Sequence, residues 1–132
     1  MRNSFITNFI KEEEGFRSEG YIDTLGHITW GYGFTNITKE EAEDLLRTRL
    51  QDIDTYMIQH YYWYRYLNEQ RQAVIISMVY QLGMSGFLKF KKMIAALEEE
   101  DYTEAAIQGL DSLWAKQTPE RAVRQMDMLK KG

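Results

Sequence analysis

The chain has 132 residues, of which 44% are hydrophobic, and this length and composition predict one domain with a single core. Its 16 basic and 20 acidic residues give a net charge of −4, which disfavours a protein that binds nucleic acid through a basic surface. The absence of cysteine excludes disulfides, thiolate zinc sites and cysteine nucleophiles, and the two histidines form no spaced ligand cluster, which disfavours a histidine-based zinc site.

The N-terminus and the apolar runs predict a protein that is made in the cytoplasm and does not insert stably into a membrane. The first residues are polar and are soon followed by the charged run 11–14, so they lack the apolar segment of a signal peptide. The longest apolar run, near residues 73–79, is far shorter than the roughly 20 residues of a membrane span.

The first 37 residues predict a helix followed by a β-hairpin. Apolar residues repeat at helical spacing from Asn3 to Glu14, and Gly15 suits the left-handed end of such a helix. Extended runs at 20–23 and 27–34, joined by a glycine-containing turn, predict two antiparallel strands.

Alternation in the second strand places aromatic and small residues on opposite faces. We expect one face to be buried; it carries Ile28, Trp30, Tyr32 and Phe34. The other face carries Thr29, Gly31 and Gly33. A strand face with few side chains favours the close approach of an extended polymer, and the alternative is a helix packed on these glycines.

Helical patterns dominate the remaining residues, so the predicted fold class is α+β and mostly helical. A capping box at Thr38 begins a helix that extends to about residue 58, and the aromatic run 61–66 is expected to pack between helices. Further capping signals begin helices at Asn68, Ser85, Asp101 and Thr118, with ends expected at Gly83, after Leu97 and near Gly132.

Two acidic residues near the predicted hairpin are candidates for glycoside hydrolysis. Glu14 ends the first helix and Asp23 ends the first strand, so they can face each other across a cleft, with Thr29 just across the turn. The reaction needs one protonated carboxyl for the leaving oxygen and one ionised carboxyl that activates water or attacks the sugar. The alternative is that Glu14 belongs to a solvated charge run and Asp23 is a turn residue.

Glu14, Asp23, Thr29 and the glycine-rich strand resemble the catalytic segment of the phage-type lysozymes (endolysins), glycoside hydrolase family 24. That family has a Glu, eight residues, an Asp, five residues and a Thr, and the spacing here is the same. Residues 114–122 are similar to the family's tryptophan, Gln-Thr-Pro and Arg-Ala signature. Segments 37–42 and 77–83 align in the same order, so the resemblance covers nearly the whole chain.

The resemblance implies a single lysozyme-like domain over residues 1–132. Its small hairpin lobe would span about 15–37, its connecting helix about 38–58, and its larger helical lobe about 59–132 together with the N-terminal helix 3–14. Only three residues separate Phe34 from Thr38, where some relatives carry a long insertion, so we expect a shortened hairpin lobe.

The resemblance also implies a lysozyme that hydrolyses β-1,4 bonds between N-acetylmuramic acid and N-acetylglucosamine in peptidoglycan, without cofactor or metal. Glu14 would be the general acid, Asp23 the base toward water, and Thr29 a group that helps to hold this water, with inversion at the sugar. Arg121 would orient the site. Residues expected to contact sugar or peptide stem are Thr35, Tyr80, Gln81 and Gln108.

Other interpretations of these residues stay open. Arg121 could be a surface arginine, Tyr80 a core residue and Gln108 an exposed one. The protein could be a non-catalytic wall-binding or virion structural module, which the presence of Glu14, Asp23 and Thr29 together disfavours. It could also be a lytic transglycosylase, for which a single acid suffices, and the presence of Asp23 and Thr29 disfavours this alternative. As an endolysin it would be a monomer that acts on glycan strands after a holin-type membrane lesion releases it from the host cytoplasm.

Overall fold

A computed structural model describes residues 3–22, 28–31, 34 and 36–132. The chain divides into two compact units, Met1–Leu45 and Leu46–Gly132. The described residues are mostly helical and include one two-stranded antiparallel sheet, so the predicted α+β class is confirmed. The predicted grouping of the N-terminal helix with the helical lobe stays a prediction.

The first unit begins with a helix and a hairpin, as predicted. Helix α1 (Asn3–Glu14) ends at Gly15, whose φ of 68° is left-handed and whose N–H donates to the Lys11 carbonyl at 2.9 Å. Strands β1 (Arg17–Ile22) and β2 (Ile28–Gly31) pair antiparallel. β1 begins earlier than the predicted run at residue 20, with an irregular register in its first half.

The second strand is shorter than predicted, and its aromatic side chains are exposed. β2 ends at Gly31 because a φ of 59° turns the chain, and Phe34 then pairs back with Trp30 through two backbone hydrogen bonds of 2.8 Å. The predicted alternation as far as Phe34 is therefore wrong. Trp30 and Phe34 are 48% and 53% exposed, contrary to the expected burial.

Gly31 also accommodates an aromatic ring. A Cβ atom at this position would lie 3.1 Å from Cδ2 of Phe34, and the positive φ would strain any other residue. The ring of Phe34 thus occupies space beside this glycine that the sequence pattern left open for an extended polymer. Tyr32 and Gly33 lie outside the described residues.

Helix α2 (Lys39–His60) crosses the boundary between the two units. Its first turn forms the predicted capping box: the Thr38 N–H donates to the Glu41 carboxylate at 3.0 Å, and the Glu41 N–H donates to the Thr38 hydroxyl at 3.1 Å. These two bonds satisfy N–H groups that have no partner within the helix, so the local sequence fixes where α2 begins.

Six further helices complete the second unit: α3 (Tyr62–Arg65), α4 (Glu69–Phe87), α5 (Lys91–Glu98), α6 (Tyr102–Leu110), α7 (Leu113–Gln117) and α8 (Pro119–Lys131). Asn68 caps α4 and Asp101 caps α6, as predicted. Gly83, at φ 76° and ψ 163°, breaks α4 near its end, also as predicted. The helix predicted from Ser85 onwards is two segments, because Phe90 leaves helical geometry.

The core of this unit forms where α6 packs against α5 and α8, and where α4 packs against α8. The aromatic run contributes Trp63 and Tyr64 to the core, while Tyr62 and Tyr66 are exposed. This confirms the predicted packing for the middle of the run. The other large side chains that are fully buried are Met57, Ile75, Met78, Phe87, Met93, Leu97, Met126 and Leu129.

Gly109 lies on the face of α6 that meets two buried methionines. A Cβ atom there would lie 2.3 Å from Sδ of Met126 and 3.2 Å from Sδ of Met93. We expect Gly109→Ala to lower the free energy of unfolding by about 1–2 kcal/mol, because overpacking outweighs the better helix propensity of alanine. Urea unfolding measures this change, and an unchanged midpoint would show that the two methionines move aside without cost.

Tyr64 links the core to helix α2. Its hydroxyl donates to the Asp54 carboxylate at 2.5 Å, and burial, followed by this bond and the Asp54 charge, raises the pKa of Tyr64 well above its usual value of 10.0. A raised pKa stabilises the fold below pH 10, and this stability is lost as the pH rises toward the folded-state pKa, because the unfolded chain ionises first.

The Tyr64→Phe variant is expected to lose about 1–2 kcal/mol of stability at pH 7, because Asp54 loses a donor. It should also lose less stability between pH 9 and pH 11 than the wild type. A smaller alkaline dependence should remain from Tyr61, whose pKa is also raised by burial. Urea midpoints at each pH test this, and parallel curves for both proteins would contradict it.

Candidate active site

The predicted acid and hydroxyl both belong to the first unit. Glu14 is the last residue of α1, directly before the left-handed turn at Gly15. Thr29 lies in β2, opposite Tyr21 in β1. Asp23 follows the last residue of β1 in sequence, but Asp23 and Thr35 lie outside the described residues. The separation of the two carboxyl groups therefore stays a prediction.

Gln81 is a hydrogen-bond partner of the buried Trp114. The indole Nε1 donates to Oε1 of Gln81 at 2.9 Å, and the ring packs edge-to-face on Phe90 with the centroids 6.0 Å apart. The Thr118 hydroxyl donates to the Trp114 carbonyl at 2.9 Å. Thr118 is the N-cap residue of α8 and Pro119 follows it, as predicted, although the Thr118 side chain makes no capping bond to this helix.

A cavity of about 600 Å³ lies beside Trp114. Gln108, which was predicted to contact substrate, lines it; this side chain is half-buried and donates to the Glu104 carboxylate at 2.7 Å. Three lysines, Lys89, Lys91 and Lys92, also line the cavity, and sequence reasoning missed them. Their clustering within four residues was the available signal.

Tyr80 lines a different depression, of about 530 Å³, between α2 and the break in α4. Its side chain is about half exposed, so it is not a core residue. Tyr56 and Arg49 from α2 line the same depression. Of the predicted substrate-binding residues in the second unit, Tyr80 and Gln108 thus belong to separate cavities, and Gln81 lines neither of them.

Arg121 is half-buried and tied to α4, so it is not a free surface arginine. Its Nη2 donates to the Ser77 hydroxyl at 2.8 Å and lies 3.5 Å from the Ser77 carbonyl oxygen. Gln125 donates to the same hydroxyl at 2.8 Å. Arg121 also lines a shallow depression of about 340 Å³ with Arg124 at the start of α8.

The described residues offer neither a metal-ligand cluster nor a membrane-spanning helix. No group of three or more His, Asp or Glu side chains among them could hold a metal ion. No single described helix is long and apolar enough to cross a membrane; α4 and α5 pass that test only as a pair, and they are bent by 113° at the break between them.

The family profile described as phage lysozyme matches residues 11–129, a range that includes Glu14, Asp23, Thr29 and Arg121. The chain belongs to the phage lysozyme family. This places it, in general terms, among the lysozyme-type cell-wall hydrolases.

Similar proteins include the probable T4-type lysozymes 1 and 2 of Dictyostelium discoideum. They are 28% and 27% identical to this chain, and the alignments cover 98% of it and 95% of each relative. These alignments extend over 163 and 162 residues, so the relatives carry residues that this shorter chain lacks. The pre-baseplate central spike protein Gp5 of Enterobacteria phage T4 is 36% identical over 93 residues, which cover 67% of this chain and 16% of Gp5.

Proposed function

We propose that the protein is an endolysin that hydrolyses the β-1,4 bond between N-acetylmuramic acid and N-acetylglucosamine in peptidoglycan. Glu14 donates a proton to the glycosidic oxygen, and Asp23 takes a proton from the attacking water, which Thr29 helps to hold. The observation that carries this proposal is the family's spacing of these three residues inside a match that spans residues 11–129. The pairing of Thr29 with Tyr21, two residues before Asp23, supports it.

The proposed mechanism has a single displacement. Water attacks the anomeric carbon as the bond to the leaving oxygen breaks, so one proton leaves Glu14 and one reaches Asp23. An attacking water between the carboxyl groups requires a separation of about 6.5–9.5 Å, and the sugar configuration is inverted. No cofactor takes part.

The remaining assignments belong to the same proposal. Tyr80, Gln81, Gln108 and Thr35 contact sugar or peptide stem, and Arg121 orients Glu14. The protein acts as a monomer on glycan strands. A holin-type membrane lesion gives it access to the wall from the host cytoplasm.

Product analysis of purified peptidoglycan tests the reaction class. We expect new sugar reducing ends, with the α-anomer released first, because inversion of a β bond gives an α product. Anhydro-sugar ends would instead identify a lytic transglycosylase. Binding without release would favour a virion structural module, a role that the similarity to part of the Gp5 spike protein keeps open.

A further inference from the structure

A polar cluster joins α4 and α8 in the second unit. The Ser77 hydroxyl accepts hydrogen bonds from both Arg121 and Gln125, each at 2.8 Å. A hydroxyl oxygen has two lone pairs, so these donors saturate it. All three side chains are half-buried, and the cluster is therefore shielded in part from water.

Two features of this cluster work against stability. Arg121 is the third residue of α8, where the positive end of the helix dipole disfavours a cation. The Gln125 side-chain oxygen is buried and has no hydrogen-bond partner within the described part of the chain. Reversing the amide would only leave its nitrogen without a partner instead. An apolar residue at position 125 would avoid this cost.

Residues that lower stability locally are expected at functional sites, where the side chain is needed for activity. We propose that Ser77 and Gln125 are positioning residues that hold the Arg121 guanidinium for the reaction; this inference rests on the proposed function, in which Arg121 orients Glu14. Ser77 holds one edge of the guanidinium. Gln125 donates to one lone pair of the Ser77 hydroxyl, so the other lone pair stays directed at Arg121.

Among the residues that the structure describes, this arrangement leaves the other guanidinium donors of Arg121 without a hydrogen-bond partner. The bonds found for Arg121 in the described part of the chain all come from Nη2. Its remaining N–H groups form the planar fork that suits a carboxylate. When one edge of a guanidinium is already fixed, the arginine side chain loses less conformational entropy as the other edge binds an anion. Positioning therefore strengthens that second contact.

The test combines kinetics with a direct measurement on Arg121. Ser77→Ala is expected to lower kcat on peptidoglycan about tenfold and to change KM less than about twofold, because orientation rather than binding is lost. Ser77→Thr keeps the hydroxyl and should restore most of kcat. Gln125→Leu should lower kcat about threefold while folding at least as well as the wild type. Gln70→Leu, at an exposed position of α4, is the matched control and should leave kcat unchanged.

Rotation of the Arg121 guanidinium, followed by ¹⁵N NMR and assigned with Arg121→Lys, should be slow in the wild type and in Ser77→Thr. It should be faster in Ser77→Ala and Gln125→Leu. Wild-type kcat in both of these variants, or equal losses in Ser77→Ala and Ser77→Thr, would overturn the positioning role while the proposed function stands. A wild-type protein that releases no more sugar than Glu14→Gln would overturn the proposed function and this inference with it.

Discussion

Glu14→Gln is expected to lower the release of reducing ends from purified peptidoglycan by about 10²–10⁴-fold, the usual contribution of a positioned general acid. The amide has nearly the same shape as the carboxyl group but cannot donate the acidic proton to the glycosidic oxygen. A reducing-sugar assay over the first minutes of digestion measures the effect. Binding to insoluble peptidoglycan should remain, because the substitution changes one atom.

The end of α1 offers a matched control for this experiment. Glu13 precedes Glu14 in the last turn and is exposed. A carboxylate at the C-terminus of a helix is electrostatically unfavourable, so Glu13→Gln and Glu14→Gln should have similar, slightly favourable effects on stability. Only Glu14→Gln should lose activity. Equal losses in the two variants, or none in either, would mean that Glu14 is not the acid.

Sequence patterns that involve only a few neighbouring residues correctly predicted where several helices begin and end. The capping box of Thr38 and Glu41 and the Asn68 cap each join residues three positions apart, so their bonds depend little on the rest of the fold. Gly15 and Gly83 end helical segments as expected, because their positive φ angles favour glycine. Such features need no knowledge of which helices pack together.

Contacts between distant residues could not be predicted in this way. Thr118 has the residue type and position of an N-cap, yet its hydroxyl bonds the Trp114 carbonyl because α7 precedes it directly. The bond from Trp114 to Gln81 joins residues 33 apart, and the bond from Arg121 to Ser77 joins residues 44 apart. Pattern alone does not tell which polar side chains tertiary packing brings together.

The candidate acids were found in a different manner. Glu14 and Asp23 have no local pattern that separates them from a charge run and a turn residue. Their predicted positions made them candidates, the spacing shared with a known family then favoured them over that alternative, and the structure adds the helix end and the pairing of Thr29. Their chemistry depends on the distance between their carboxyl groups in the folded protein, which their spacing in the sequence does not determine.

Arg71→Ala is expected to have the largest effect on stability among the substitutions considered. The Arg71 side chain donates from Nε to the Leu129 carbonyl at 2.7 Å and from Nη2 to the Lys130 carbonyl at 2.9 Å. It therefore provides donors for two carbonyl groups in the last turn of α8. Its guanidinium carbon also lies 3.7 Å from the ring centroid of Tyr102. Loss of these bonds, of the cation–π contact and of a cation at a helix C-terminus should lower the free energy of unfolding by about 2–4 kcal/mol.

Two further variants separate the causes of this loss. Arg71→Lys keeps the charge but lacks the planar fork that reaches two carbonyls, so it should recover about half of the stability lost in Arg71→Ala. Arg124→Ala removes an exposed arginine from α8 and should change stability by less than about 0.5 kcal/mol. Urea unfolding measures all three. If Arg71→Ala were no more destabilised than Arg124→Ala, the two carbonyl bonds would contribute nothing, and α8 would depend on its buried face alone.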